Sequence, residues 1–393
     1  MNNNHVTIIG ASSAGLFAAY LLAKVGRQVH VYEAAETLKP TPRTLILTGE
    51  INRVLGFVPE EAIINRIHRI ELFSRKTSAR VTLTEPDLVI ERERLIRLLM
   101  ERARKTGAEI SLGHCFLNLE RDGHGPVLRL ENRLKGRIEE VNAGIVIGAD
   151  GAMSRVARSL PQSDRKNGRP TVSILQARVV LPPGARADTV QVWFERGHTR
   201  FFYWLIPESP IHAVVGLGAD SLQEAHQRLT HFLSQRNLVA LDYQVAEVPL
   251  HSYRACASSA RLLSLPAAQN GGANVFLVGD AASQVKATTV GGVVAGLRGA
   301  RAAARAITGQ RNYGKELGEV KRELDLHLFL RKFLDRFTDA DYDELLSLLN
   351  HRTRSILESR NRDRMAGAFW GLFLAQPRGL LLGLKAALRR GAG

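Results

Sequence analysis

Cysteine is nearly absent: Cys115 and Cys256 are the only two in 393 residues, they stand far apart, and they form no CxxC. A disulfide framework and a dithiol redox pair are therefore excluded, and a reducing cytoplasm is the expected setting. Long apolar runs are missing too. No stretch reaches the roughly 18 residues that a spanning helix needs. The nearest approach, AGAFWGLFLA and GLLLGLKAAL, is interrupted by Gln376, Pro377 and Arg378 and followed by Arg389 and Arg390. That pattern suits a segment lying on a surface, so peripheral membrane contact through the C-terminus and plain helix packing both stay open. Met1 to His5 are polar and run straight into an apolar strand, which leaves no room for a signal peptide. Zinc-finger spacing, RNP-type aromatic motifs and activated-nucleophile arrangements are not found either, so neither a metal site nor nucleic-acid binding is expected. Acidic residues are in deficit, 38 against 54 Lys and Arg, and the net charge of +16 favours anionic partners such as phosphates or lipid headgroups. What remains is ordinary: 45% hydrophobic and 23% charged residues, in a chain long enough for two or three packed units.

The apolar run Val6 to Ile9 is followed by GASSAG from Gly10 to Gly15 and then by the helical pattern LFAAYLLAKVG. Strand, tight turn and helix are predicted. A second apolar stretch, QVHVYE, ends at Glu33, where the ribose-binding acid of a dinucleotide fold belongs. Gly10 and Gly15, with Ser12, Ser13 and Ala14 between them, would let the backbone approach a pyrophosphate seated on the helix N-terminus. Glu33 would accept the ribose hydroxyls. Ser12 replaces the middle glycine of the G-x-G-x-x-G fingerprint.

Two further strands end in an acid. AGIVIGADG runs into Asp150 and Gly151, and NVFLVGDAAS runs into Gly279 and Asp280, then through Gly291 and Gly292 into a long Ala-rich helix opening at Val293. An Asp at a strand tip can accept a ribityl hydroxyl, and helix N-terminal amides can stabilise negative charge at the flavin N1 and O2 side. The cofactor expected is FAD. No second dinucleotide fingerprint is visible, so reducing power would come from a reduced carrier protein or from transiently bound NAD(P)H.

The order GxSxxG, GADG, GDAA resembles the p-hydroxybenzoate hydroxylase superfamily across roughly residues 1–310. The resemblance implies an α/β fold, with a Rossmann-like FAD-binding domain of that type and an antiparallel-sheet substrate domain, followed here by a C-terminal helical region. It also implies that Arg92, just ahead of the helix around Leu95, Leu98 and Leu99, approaches the FAD phosphates. Within that superfamily, GDAASQVKATTVGGV is similar to the geranylgeranyl reductase pattern GDAAGxVxPxTGGG, from which it departs at Ser283, Ala287 and Val290, so the loop shape is open to change. Thr41 stands where many polyprenyl reductases carry a cysteine. In FFYWLIP, Phe202, Trp204, Ile206 and Pro207 match the aromatic strand those reductases place beside the substrate cavity, and alternation puts Phe202, Trp204 and Ile206 on one face. His198 is a candidate proton donor.

The expected organisation is a discontinuous FAD-binding domain (1–65 with 91–160 and 266–310), a substrate-binding sheet domain (66–90 with 161–265) and a helical region (311–393). The activity implied is FAD-dependent reduction of carbon–carbon double bonds in an isoprenoid or other apolar small molecule, in the cytoplasm or on the cytoplasmic face of a membrane. The alternatives are an oxygen-using monooxygenase or halogenase acting on an aromatic compound, and a non-catalytic flavin- or lipid-binding protein.

Overall fold

In the computed structural model, residues 5–37, 42–122, 125–160, 171–250, 274–310, 313–359, 361–367 and 369–389 are described. Thr41 and Cys256 lie outside them. The short apolar runs form a five-stranded parallel sheet in the spatial order Asn274–Leu277, Ile145–Gly148, His5–Ile9, Gln28–Tyr32, Glu109–Ser111. Its central strands are apolar on both faces because both are covered: Val6, Ile8, Val146 and Ile147 are fully buried or nearly so. The helices Ser13–Lys24, Arg92–Lys105 and Val293–Ile307 pack together in this core, and a three-stranded antiparallel sheet (His114–Asp122, Gly125–Asn132, Arg137–Asn142) adds Phe116, Leu128 and Leu130 to it.

The register of the parallel sheet places Ile9 beside both Gly148 and Tyr32. The ladder continues past the strands, with Gly10 N donating to Tyr32 O at 2.8 Å, Ala149 N to Ile9 O at 2.8 Å and Val278 N to Gly148 O at 3.0 Å. The strand tips carrying Gly10, Glu33, Asp150 and Asp280 therefore line up along one edge, the position where open α/β sheets bind ligands.

The second sheet has eight strands, ordered Asp242–Pro249, Thr171–Val180, His212–Ala219, Tyr203–Pro207, Thr189–Trp193, Ile63–Phe73, Ser78–Glu91, Thr44–Leu47. All neighbours are antiparallel except Thr189–Trp193 and Ile63–Phe73, which run parallel. The sheet takes Thr44–Leu47 and the start of the Ile63 strand from the chain before residue 66. Alternation divides its core in two. Tyr203 and Leu205 face the Leu222–Gln235 helix, where Tyr203 stacks on Phe232 at 4.0 Å. Phe202, Trp204 and Ile206 face the other way, against Val285 and Val290 of the chain that follows Asp280.

The charged, 3.6-periodic tail folds as the helices Tyr313–Leu334, Asp339–Ser347, His351–Ser359, Phe369–Ala375 and Arg378–Leu388. Leu382 and Ala386 of the last pack with Phe337 and Tyr342. Among the described residues, no helix is long and apolar enough to cross a membrane.

Candidate functional site

A cavity of about 560 Å³ opens along the aligned strand tips, walled by Gly10, Ser12, Glu33, Arg92, Asp150 and Gly151 among others. Gly10 holds φ +104°, and a Cβ there would stand 2.5 Å from Ala149 O. Only glycine combines that backbone with that approach. Ser12 occupies the N-cap of the first helix and its hydroxyl accepts from Gly15 N at 3.2 Å, which explains how the loop does without its middle glycine. Ser13 begins the helix, and Ala14 packs toward Gly279 and Gly296, bringing the first helix close to the Val293 helix.

Glu33 braces the phosphate loop as well as lining the cavity: its carboxylate accepts Ala11 N at 2.7 Å and Ala35 N at 3.0 Å. Asp150 also lines the cavity, but both its oxygens are engaged. Ser154 Oγ donates to it at 2.6 Å, and the backbone amides of Arg155 and Val156 at 2.7 and 3.1 Å. It thus holds the first amides of the short Arg155–Ser159 helix beside the N-cap Ser154, a role that strand-tip reasoning does not anticipate. Arg155 Nη1 in turn donates to Phe116 O at 3.2 Å beside the buried Cys115.

Arg92 opens its helix, with its backbone amide on Arg43 O at 3.0 Å. Arg43 is the residue that sequence reasoning misses. Burial pulls its guanidinium down to about 10, the like charge of Arg92 adds to the effect, and Asp280 opposes it. Arg92 is lowered by the same burial, against the pull of Asp280 and Glu33. Asp280 is raised by burial and held back by both arginines. Two partly buried cations therefore feel the same carboxylate without an ion pair to it among the described residues, and the Nε atom of Arg43 is buried with no hydrogen-bond partner. Buried donors are almost always paired, so this one marks a place for an anionic group. Pro42-Arg43 at the end of a turn is the only sequence signal for it, and a weak one.

Gly279 N donates to Gln284 Oε1 at 2.8 Å, and Gly292 caps the Val293 helix close enough to Asp280 that a Cβ would lie 2.9 Å from Oδ1. Gly291 pairs with Lys286 across the loop between them. Ser283 and Val290, which replace glycines of the reductase pattern, adopt φ 54° and 50°. The loop thus keeps the left-handed turns that glycine would favour, at a strain of about 1–2 kcal/mol each. His198 is far less specialised: it is half-exposed and lies 3.0 Å from Glu195.

The described residues fit FAD on these observations: a glycine turn that a Cβ would block, a helix N-terminus sharing its cavity with Arg92, an unpaired buried donor on the neighbouring Arg43, and an acid at the tip of the second strand. No group of three or more metal-ligating side chains occurs among the described residues. Residues 3–310 match the family model described as the FAD binding domain. The chain is 26% identical over 386 residues to digeranylgeranylglycerophospholipid reductase 3 of Methanosphaera stadtmanae, covering 91% of this chain and 93% of the relative. It is 24% identical over 352 residues to geranylgeranyl diphosphate reductase of a Synechocystis strain, covering 84% and 81%. Among solved structures, a geranylgeranyl bacteriochlorophyll reductase-like protein of Thermoplasma acidophilum superposes with a TM-score of 0.77 at 18% identity, covering 97% of this chain and 98% of that one. With more than half of its length matched, the chain belongs to the FAD binding domain family and is an FAD-dependent oxidoreductase.

Proposed function

We propose that this protein saturates carbon–carbon double bonds of a geranylgeranyl-type isoprenoid chain. The observation that carries the reading is the apolar wall of Phe202, Trp204 and Ile206, set against Val285 and Val290 just beyond Asp280. When bound, reduced FAD supplies the hydride equivalent that such a reaction requires. The chain's own residues anchor, orient and keep the site dry. Arg43, Arg92 and the amides after Gly10 would hold the diphosphate, and Glu33 and Asp280 would accept sugar-chain hydroxyls. The wall itself carries a satisfied polar group. Trp204 Nε1 donates to Gln176 Oε1 at 3.2 Å, and Gln176 Nε2 donates to Gln244 Oε1 at 2.6 Å and Thr44 O at 3.0 Å. The face turned to the loop is thus left apolar, as a polyprenyl chain requires.

Anaerobic mixing of the dithionite-reduced holoenzyme with a geranylgeranyl lipid should reoxidise the flavin absorbance and add two hydrogens per reduced bond to the lipid by mass. Flavin that stays reduced until oxygen and an aromatic compound are supplied would sink the reading in favour of the oxygen-using alternative. Reducing equivalents would arrive from a carrier protein or NAD(P)H.

Contact with the cytoplasmic face of a membrane completes the proposal, and the C-terminal helices support it. Leu381, Leu384 and Leu388 form an exposed stripe on the Arg378–Leu388 helix, beside Leu374, and two of these, Leu374 and Leu388, are 83% and 85% exposed. Arg378 and Lys385 are exposed on the same helix, an apolar-plus-cationic pattern that fits an anionic bilayer. Co-sedimentation with phosphatidylglycerol vesicles should be strong, weaken at high salt, and fall at least tenfold in the Leu384→Glu/Leu388→Glu variant. Equal binding by parent and variant would rule this surface out.

A further inference from the structure

The stretch RNRDRMAG, which contains Arg362, Asp363 and Arg364, has the composition of a solvated loop. Each of the three charges instead reaches a partner on a different element. Arg362 pairs with Asp87 of the Ser78–Glu91 strand. Asp363 Oδ1 accepts from Lys286 Nζ at 2.6 Å, and Oδ2 from Thr48 Oγ1 at 2.6 Å. Arg364 Nη2 donates to Glu50 Oε1 at 2.8 Å. Asp87, Asp363 and Glu50 are all buried. Burial opposes charge on Asp363, but the Lys286 ammonium and the hydrogen bonds from Lys286 and Thr48 outweigh it and hold the carboxyl below its usual range. The strap continues with Met365 N and Ala366 N on the Glu323 carboxylate at 2.7 and 2.9 Å.

Lys286 belongs to the tight loop that joins Asp280 to the Val293–Ile307 helix. Its amide donates to Gly291 O at 3.1 Å, Val290 N donates back to Lys286 O at 2.8 Å, and a second tie runs from Thr288 Oγ1 to His327 Nδ1 at 2.5 Å. A β-branched residue at φ 50° is strained, and such strain persists only where the surroundings over-determine it. Buried ion pairs add little net stability over apolar packing, so the one pair here with both partners largely buried, Lys286–Asp363, argues for a fixed geometry, with Arg362 and Arg364 flanking it on buried Asp87 and Glu50.

We propose that Asp363, acting through Lys286, is a positioning residue for the cofactor: the Asp363–Lys286 pair fixes the Ser283–Gly292 loop and so aims the amides that open the Val293–Ile307 helix at the pyrimidine side of bound FAD. This rests on the reading that this helix end faces the flavin. Helix N-terminal amides favour negative charge, so losing their alignment weakens the reduced, more anionic form most.

The test measures FAD affinity, midpoint potential and Tm in the holoenzyme of Asp363→Asn, Lys286→Met, the double variant and Arg364→Gln. Both single variants should bind FAD about tenfold more weakly and discriminate against reduced flavin by a further factor of about ten, which lowers the potential by about 30 mV for two electrons. The double variant should be no worse than either, Lys286→Arg should keep the parental values, and Arg364→Gln should lower Tm alone. A field effect of one lost charge would move the two singles in opposite directions. That result, or a lower Tm with unchanged flavin, overturns the proposal. Gly292→Val tests the underlying reading separately, because its side chain must displace the loop: if flavin is unmoved there as well, the helix end does not face the cofactor and the proposal falls with it.

Discussion

Gly10→Val is expected to abolish FAD retention, giving a colourless protein whose affinity for added FAD is down by at least a hundredfold. Two costs combine at this position. The backbone sits at φ +104°, where a side chain is strained by roughly 1–2 kcal/mol. The larger cost is steric: the new Cβ would stand 2.5 Å from Ala149 O, 2.7 Å from Ala149 C and 2.9 Å from Asp150 N. These are backbone atoms in a ladder that continues from Ile9 to Ala149, so no side chain can swing aside. The loop must lift, and the amides that follow it leave the cavity edge. Gly151→Ala is the control, since Gly151 also has a positive φ, +78°, but nothing lies within 4 Å of its would-be Cβ. It should keep most of its flavin. Fluorescence titration of apoprotein with FAD, alongside far-ultraviolet circular dichroism, reads both variants; equal affinities would mean that close approach at Gly10 does not shape the site.

The parts of this molecule legible in its sequence are those where local pattern and tertiary need coincide. The Val6–Ile9 run, the turn at Gly10 and the acid at Glu33 are read correctly as strand, turn and second strand tip because each signal is local. The aromatic strand is similar: period-2 alternation alone separates Tyr203 and Leu205 from Phe202, Trp204 and Ile206, and the two sets do enter different clusters. Arg43 is illegible, because what distinguishes it from any surface arginine is Asp280, 237 residues away, and the cationic neighbour Arg92. Asp363 is illegible for the same reason, since its partners Lys286 and Thr48 lie 77 and 315 residues away. The three-stranded sheet escapes notice because Arg137–Asn142 is largely exposed and polar, leaving its hydrophobic alternation too faint to count. Ser283 and Val290 hold the left-handed backbone that glycine favours, and their identity gives no sign of the ties around Lys286 that hold the loop.

Asp280→Asn should lower the Tm of the apoprotein by more than it lowers that of the FAD complex. The reasoning turns on charge rather than shape, because asparagine keeps the size of the side chain and a carbonyl acceptor for a ribityl hydroxyl. Asp280 is the acid that both Arg43 and Arg92 face, and burial already disfavours the charge on each arginine. Removing the carboxylate leaves two partly buried guanidiniums with less compensation, which destabilises them; Glu33 near Arg92 offsets part of the loss. With FAD bound, the guanidiniums gain the diphosphate as an anionic partner, and Arg43 Nε gains an acceptor that the apoprotein does not offer. The rise in Tm on adding saturating FAD should therefore be larger in the variant than in the parent. A rise that is equal or smaller would mean that Asp280 serves mainly as a direct cofactor contact, and that the arginines are balanced by some other group.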